Sequence, residues 1–271
     1  MKDTECVEFL RWALPRLRLR WEGFRKVRRQ VCRRLERRIG DLDLPGIDAY
    51  RAYLESTPGE WRQLDALCRV TISRFYRDRG VFEFLERCVL PELAGNAASR
   101  ERTVEAWSAG CASGEEPYTL VLGWEHAIRS SFPTVTLHVL ATDADETMVR
   151  RARAASYGES SLRELPLASR RHGFVRRGGL AYVRPRFRQL VTVVEHDIRD
   201  AAPNGPFDLV LCRNLAFTYF DLSLQREVAA RLARSLKPGG ALVIGSHETL
   251  PEGAHGFVPW CSRLGVYRRS A

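Results

Sequence analysis

Between Ser108 and Glu116 the chain reads S-A-G-C-A-S-G-E-E, a glycine-rich turn that carries a carboxylate, Glu115. Glycine lets backbone approach a bound molecule closely, so the turn is a candidate ligand cradle, although such turns also occur for structural reasons alone. Its charge narrows the ligand. Glu115 would repel a pyrophosphate and attract the ammonium group of an amino acid, and G-C-A-S-G departs from the G-x-G-x-x-G dinucleotide pattern. A second acid, Asp143, ends the next apolar run. An acid so placed can accept hydrogen bonds from both ribose hydroxyls of a nucleoside. Asp197-Ile198 and Arg213-Asn214 follow two further apolar runs. Together these groups suit an amino acid joined to a nucleoside, as in S-adenosylmethionine. Cys111 and Cys212 have no paired histidine or metal spacing and read as small pocket-wall residues. No metal site, serine triad or catalytic carboxylate pair is expected. His126, His138 and His196 read as structural, and His247 as a loop or strand-end residue.

Groups of this kind need a sheet whose strands end at the ligand. Residues 103–109, 135–142, 191–194, 207–212 and 241–245 read as strands, the second by alternation of Val135, Leu137, Val139 and Ala141. Helices are expected over 116–129, 145–155 and 222–236, with Pro117 suited to a first helical turn. Alternating strands and helices give an α/β fold with a parallel sheet covered on both faces. Residues 165–190 interrupt the alternation and hold Gly178-Gly179 between short β-type runs, so a small inserted β subdomain is expected there. Residues 256–258 and 265–267 read as a closing hairpin. Up to residue 93 the pattern is helical. Phe24, Val27, Val31, Leu35 and Ile39 recur at spacings of three and four in one helix, and further helices are expected over 47–54, 61–73 and 81–90. Residues 94–100 are small and polar. The expected organisation is an all-α domain over 1–93, a linker over 94–102 and the α/β domain over 103–271.

Composition narrows the partners. The 271 residues are 45% hydrophobic, enough for a packed core. The longest apolar runs are far too short to span a bilayer, and no secretory leader is expected. The seven cysteines stand singly without a C-x-x-C pair, which argues against a disulfide framework or structural zinc and fits a reducing cytoplasm. Formal net charge is +10, and residues 16–38 set eleven Lys and Arg against Glu22 and Glu36. Such a stripe seeks phosphate, an anionic membrane or an acidic protein, or is a solvated helix face.

Residues 107–118, W-S-A-G-C-A-S-G-E-E-P-Y, resemble the nucleotide-site signature of the chemotaxis receptor methyltransferases, the CheR type. Ala141-Thr142-Asp143-Ala144-Asp145 resembles their second-strand acid, and F-D-L-V-L-C-R-N over 207–214 their fourth-strand motif. L-K-P-G-G over 236–240 and G-S-H-E over 245–248 resemble their fifth-strand region. In the first domain, R-L-E-R-R over 34–38 resembles their basic helix, and T-I-S-R-F-Y-R-D over 71–78 the segment that enters their active site. The resemblance covers nearly the whole chain. It implies a class I (Rossmann-like) methyltransferase sheet, S-adenosyl-L-methionine as cofactor, and methyl transfer to glutamate side chains of a chemoreceptor or similar signalling protein.

The same resemblance implies residue roles. Glu115 holds the methionine ammonium and Asp143 the ribose, Asp197 and Ile198 flank the adenine, and Gly110 lies in the cofactor turn. Arg213 and Asn214 close the pocket by backbone and side chain. Thr71, Ser73 and Arg77 reach in from the helical domain, with Arg77 beside the transferring methyl and Tyr219 as its catalytic partner. Two departures fall near the acceptor. Thr71 stands where the family usually has Asn, and Leu215-Ala216-Phe217-Thr218 sets Tyr219-Phe220 one residue further along. The implied partner is an acidic helical protein docked on the basic helix from Arg25 to Arg38 of a cytoplasmic monomer. Three other readings remain: a nucleic-acid methyltransferase using the basic stripe on phosphates, a sensor of S-adenosylmethionine or S-adenosylhomocysteine, and the same fold with another acceptor. Against the first, no Asp/Asn-Pro-Pro-Tyr/Phe motif follows the fourth strand, and few aromatics interleave with the arginines.

Overall fold

The computed structural model describes residues 2–99 and 103–270. By contacts the chain divides into two units, Met1–Val70 with Thr218–Gln225, and Thr71–Phe217 with Arg226–Ala271. The larger unit holds ten strands: β1 (Thr103–Ala109), β2 (Thr136–Asp143), β3 (Ser156–Tyr157), β4 (Phe174–Arg177), β5 (Leu180–Val183), β6 (Val191–Glu195), β7 (Phe207–Cys212), β8 (Leu236–Ile244), β9 (Phe257–Cys261) and β10 (Val266–Arg269). Seven form one sheet in the order β6-β2-β1-β7-β8-β10-β9. The first five pair in parallel, and β10 and β9 add antiparallel. Strand order reverses between β1 and β7, and in such sheets the carboxyl ends at the reversal open a crevice for ligands. β1, β7 and β8 are apolar runs rather than alternating ones because both faces of the sheet are covered.

β8 begins at Leu236 rather than at the expected residue 241, so the K-P-G-G run expected to separate helix from strand lies within the strand; Gly239 takes φ +79° there. The inserted subdomain is a three-stranded sheet in the order β3-β5-β4. Its hairpin turns on Gly178 and Gly179 at φ +58° and +76°, positive values that tight hairpins demand and glycine adopts without strain.

The expected linker is corrected. A helical run passes from Arg79–Phe84 through a π-type turn, Leu85–Val89, into Leu90–Ala98, so residues 94–98 are helix. Ala94 and Ala97 are buried in the same apolar cluster as Leu90, Leu93 and the sheet residues Val104 and Leu137. Small residues that look like a linker are small here because the helix packs closely. Residues 100–102 lie outside the described ones. The contact boundary at Val70 and Thr71 likewise falls ahead of the expected one at 93, because the apolar face from Val81 to Ala97 joins the sheet's core.

The smaller unit contains the helices Asp3–Ala13, Trp21–Phe24, Arg28–Asp41, Ile47–Ser56 and Glu60–Cys68. The single helix expected through Phe24 and Ile39 is broken before Arg28. The helix expected to reach residue 73 ends at Cys68, where the Arg34 guanidinium takes the Leu67 and Arg69 carbonyls and satisfies a helix end that has no further turn. Cys6 and Cys32 form a disulfide with Cα atoms 6.0 Å apart. This overturns the expectation of unpaired cysteines: a pair 26 residues apart leaves no spacing signature, and only the packing of Asp3–Ala13 against Arg28–Asp41 brings it together.

Glu60, 4% exposed, accepts both donors of Arg38 at 2.9 and 2.7 Å and the Tyr50 hydroxyl at 2.9 Å. The hydrogen bond from Arg38 lowers the Glu60 pKa against the opposing effect of burial. A carboxyl lowered on folding stabilises above its unfolded pKa and loses that contribution as pH falls through its folded value. Urea denaturation of Glu60→Gln is expected to show a loss of about 1–3 kcal/mol at pH 7. The gap to the unsubstituted protein should narrow as pH falls below about 4.3. Equal stability of the two proteins at pH 7 would contradict this role.

Candidate functional site

β1 passes to the helix Glu115–Ala127 through the turn 110–114. The amides of Gly110 and Cys111 donate to the Thr142 carbonyl at 2.8 and 2.9 Å, and the Ala112 amide donates to Asp143 Oδ2 at 2.8 Å. The other Asp143 oxygen accepts from the Asp145 amide at 2.9 Å. Backbone thus fixes this carboxylate from both sides. The turn requires left-handed backbone at Gly110 and Gly114, φ +75° and +92°. At Gly114 close approach adds to the demand, since a Cβ would lie 2.9 Å from the Tyr157 hydroxyl and 3.0 Å from Ala152 Cβ.

Glu115 is 3% exposed. Its carboxylate accepts from Ser113 Oγ at 2.8 Å and Ser161 Oγ at 3.1 Å. Among the described residues no Lys, Arg or His pairs with it. The Tyr157 hydroxyl donates to the Ser113 carbonyl at 2.8 Å. Burial, reinforced by the Glu115 charge, pushes Tyr157 well above its ordinary pKa, so the phenol keeps its proton and holds the turn. An ionised carboxylate out of water costs several kcal/mol unless hydrogen bonds and a cation compensate. Glu115 has the hydrogen bonds and, among the described residues, lacks the cation.

Arg213 follows β7 with a side chain 2% exposed. It donates to Glu116 at 2.9 Å, to the Arg77 carbonyl at 2.9 Å and to Asp78 at 2.8 Å. Asn214 sits at φ +55°, and its amide donates to Glu248 at 2.8 Å. The Gly245 amide donates to the same Glu248 oxygen at 2.6 Å, so Glu248 ties together the turns that leave β7 and β8. Burial raises the Cys212 thiol, helped by the Glu248 charge, and burial with the Asp143 charge raises Cys111. Both thiols stay protonated and serve as walls rather than nucleophiles.

Thr71 and Ser73 lie half-buried in the irregular segment that ends at Asp78, and Arg77 donates from Nη1 to the Ile72 carbonyl at 2.9 Å. Asp197, expected at the adenine, is engaged by Arg199 at 2.7 Å, and Ile198 beside it is buried. The structure therefore links Gly110, Glu115 and Asp143 around one turn and joins Arg213 to the Arg77 backbone. Tyr219 belongs to the helical unit, its ring 5.1 Å from that of Phe24. Reasoning from sequence missed Ser161, Tyr157, Glu116 and Asp78. Only Glu116 and Asp78 carried a signal, as charges adjacent to named residues. The donor set fits an amino-acid nucleoside: a buried carboxylate short of one cation, and a second carboxylate oriented by backbone at the end of β2.

Residues 71–262 match the family model described as CheR methyltransferase, SAM binding domain. The chain is 34% identical over 238 residues to the probable chemotaxis protein methyltransferase of Rhizobium etli, covering 84% of this chain and 87% of that one. It is 31% identical over 185 residues to the chemotaxis protein methyltransferase of Listeria innocua, covering 68% of each. It is also 32% identical over 238 residues to an uncharacterized 104.1 kDa protein of Rhodobacter capsulatus, covering 88% of this chain but 25% of that protein's length.

Replacing the buried carboxylate with an isosteric amide removes the charge and keeps the shape. Glu115→Gln is expected to weaken binding of S-adenosylhomocysteine by roughly ten- to a hundredfold, the equivalent of one charge-assisted hydrogen bond. Calorimetry that finds unchanged affinity would remove Glu115 from the site.

Proposed function

The chain belongs to the CheR methyltransferase family, and from that premise we propose that it methylates glutamate side chains on an acidic helical protein of the chemoreceptor type. The observation that carries the reading is the uncompensated buried charge of Glu115 beside the backbone-held Asp143. In this reading Glu115 takes the methionine ammonium, Asp143 the ribose hydroxyls, and Asp197 with Ile198 the adenine. Gly110 lets the turn approach the ligand. Asn214 closes the pocket through backbone and side chain, and Arg213 through backbone; the side-chain contact first expected of Arg213 is not kept, because Glu116, Asp78 and the Arg77 carbonyl take its guanidinium. Thr71 and Ser73 add polar contacts. Bound there, S-adenosylmethionine supplies an electrophilic methyl on sulfur.

The acceptor needs little activation. A glutamate is already ionised at neutral pH, with an ordinary pKa of about 4.3, so no general base is required. The protein must strip water from that carboxylate and aim one oxygen at the methyl, and positioning of this kind is worth roughly 7–11 kcal/mol. Arg77 holds one oxygen and leaves the other free. Tyr219 is the proposed partner of Arg77 in orienting the acceptor.

The basic helix supplies the docking face. Arg28 pairs with Asp3, Arg34 caps a neighbouring helix and Arg38 holds Glu60. Arg25, Lys26, Arg29, Arg33 and Arg37 are exposed, and the last three recur every four residues along one stripe. An acidic helical bundle complements such a stripe. Among the described residues no helix is long and apolar enough to cross a membrane. The proposal of a monomer working in the cytoplasm rests on the family resemblance, since the Cys6–Cys32 bond removes the cysteine argument for that compartment.

Labelled S-adenosylmethionine and an acidic helical receptor fragment test the reaction. Label released by mild base as volatile methanol is the expected result; base-stable label would point to N-methylation and sink the glutamate reading. Asp143→Ala should abolish binding of S-adenosylhomocysteine, whereas Arg77→Ala should leave binding intact and remove turnover; equal loss of binding in both would contradict the assigned roles. Charge reversal at Arg29, Arg33 and Arg37 together should raise the KM for the receptor fragment about tenfold or more at low salt, with the difference shrinking at high salt. An unchanged KM would exclude this stripe as the docking face.

A further inference from the structure

Arg77 lies between two residues in an unfavourable conformation. Tyr76 and Asp78 take φ +57° and +61°, which costs a non-glycine residue on the order of 1–2 kcal/mol. Backbone of this kind persists only where its surroundings over-determine it. On the near side, the Phe75 amide donates to the Ser161 carbonyl at 3.2 Å, the Tyr76 amide to Thr119 Oγ1 at 3.1 Å, and the Tyr76 hydroxyl to Glu86 at 3.1 Å. On the far side stands Arg213, which grips the Arg77 carbonyl and Asp78 with one nitrogen and Glu116 with another. Ser108 Oγ donates to the second Glu116 oxygen at 2.8 Å and fixes that end.

Asp78 immediately precedes the helix Arg79–Phe84, where an aspartate commonly caps the first turn. Here its side chain makes no capping hydrogen bond; its carboxylate goes to Arg213 instead. The helix gives up a cap, and the segment gains an anchor at the residue next to Arg77. Three acceptors around one planar guanidinium also explain the choice of arginine, since an ammonium lacks that fork.

We propose that Glu116, Arg213 and Asp78 form a positioning chain that locks the backbone at Arg77 and so aims its guanidinium, with the Arg213 side chain making no contact to the cofactor. This rests on the role given to Arg77 above. Asp78 and Glu116 are positioning residues in this account, and so is Arg213 through its side chain.

The test uses the 271-residue chain with Asp78→Asn and Glu116→Gln, which keep the side chains' shapes, with thermal melting to confirm that both fold. S-adenosylhomocysteine affinity should stay within about threefold of the unsubstituted protein while kcat falls about tenfold or more, the loss expected for one charge-assisted hydrogen bond. Hydrogen exchange at the amides of 76–79 should quicken about tenfold or more in Asp78→Asn, with the turn 110–114 unaffected. Loss of cofactor affinity in step with kcat would overturn the proposal, and so would unchanged exchange at 76–79. Should the unsubstituted protein transfer no methyl to any glutamate, the activity reading fails, and the exchange measurement decides the positioning claim by itself.

Discussion

A carboxylate shut away from water, held by two serine hydroxyls and given no cation among the described residues, is an incomplete arrangement. Burying a charge is tolerable when hydrogen bonds and an opposite charge replace its hydration, and Glu115 has only the first. The surrounding architecture maintains this condition. The left-handed turn at Gly110 and Gly114 brings the helix Glu115–Ala127 in at the required angle, and the Tyr157 phenol fastens the turn from outside. Parallel pairing of β1 with β2 then sets the second carboxylate, Asp143, against the same backbone. Phosphate is disfavoured here by electrostatics, and a cationic ligand is favoured by them.

Much of this was legible in the sequence because it depends on local rules. Strands β1 and β7 fall at the expected residues, since an apolar run bounded by turn residues specifies a covered strand. Gly178-Gly179 announced its hairpin through backbone chemistry alone. Other features depend on tertiary packing and left no local trace. The alanines at 94 and 97 look like a linker until the sheet beneath them is known. The Cys6–Cys32 bond needs two helices brought side by side. At the site, Glu115 and Asp143 could be found from charge at strand ends, whereas Ser161 is separated from Glu115 by 46 residues and has no motif of its own. Asp197 shows the opposite case: its position was legible, but its ion pair with Arg199 was not.

The arginines divide by burial rather than by sequence. Arg213 and Arg38 are fixed in geometry by acids and carbonyls, as a planar donor fork allows. Arg29, Arg33 and Arg37 stay in water, where an ion pair is worth little in stability but contributes to encounter with an acidic surface. Composition alone gives both groups the same charge and cannot separate scaffold from docking face.

The inserted three-stranded sheet looks like a detachable ornament on a standard scaffold, but its opening residues are masonry in the ligand turn. Tyr157 belongs to β3 and bonds the Ser113 carbonyl, and Ser161 just beyond it supplies one of the two hydroxyls on Glu115. Phe75, beside the Arg77 segment, packs edge-on against the same Tyr157 ring at 4.8 Å. A shorter chimera that trimmed the insertion from its first strand would therefore unseat the acid, the turn and the neighbouring segment at once.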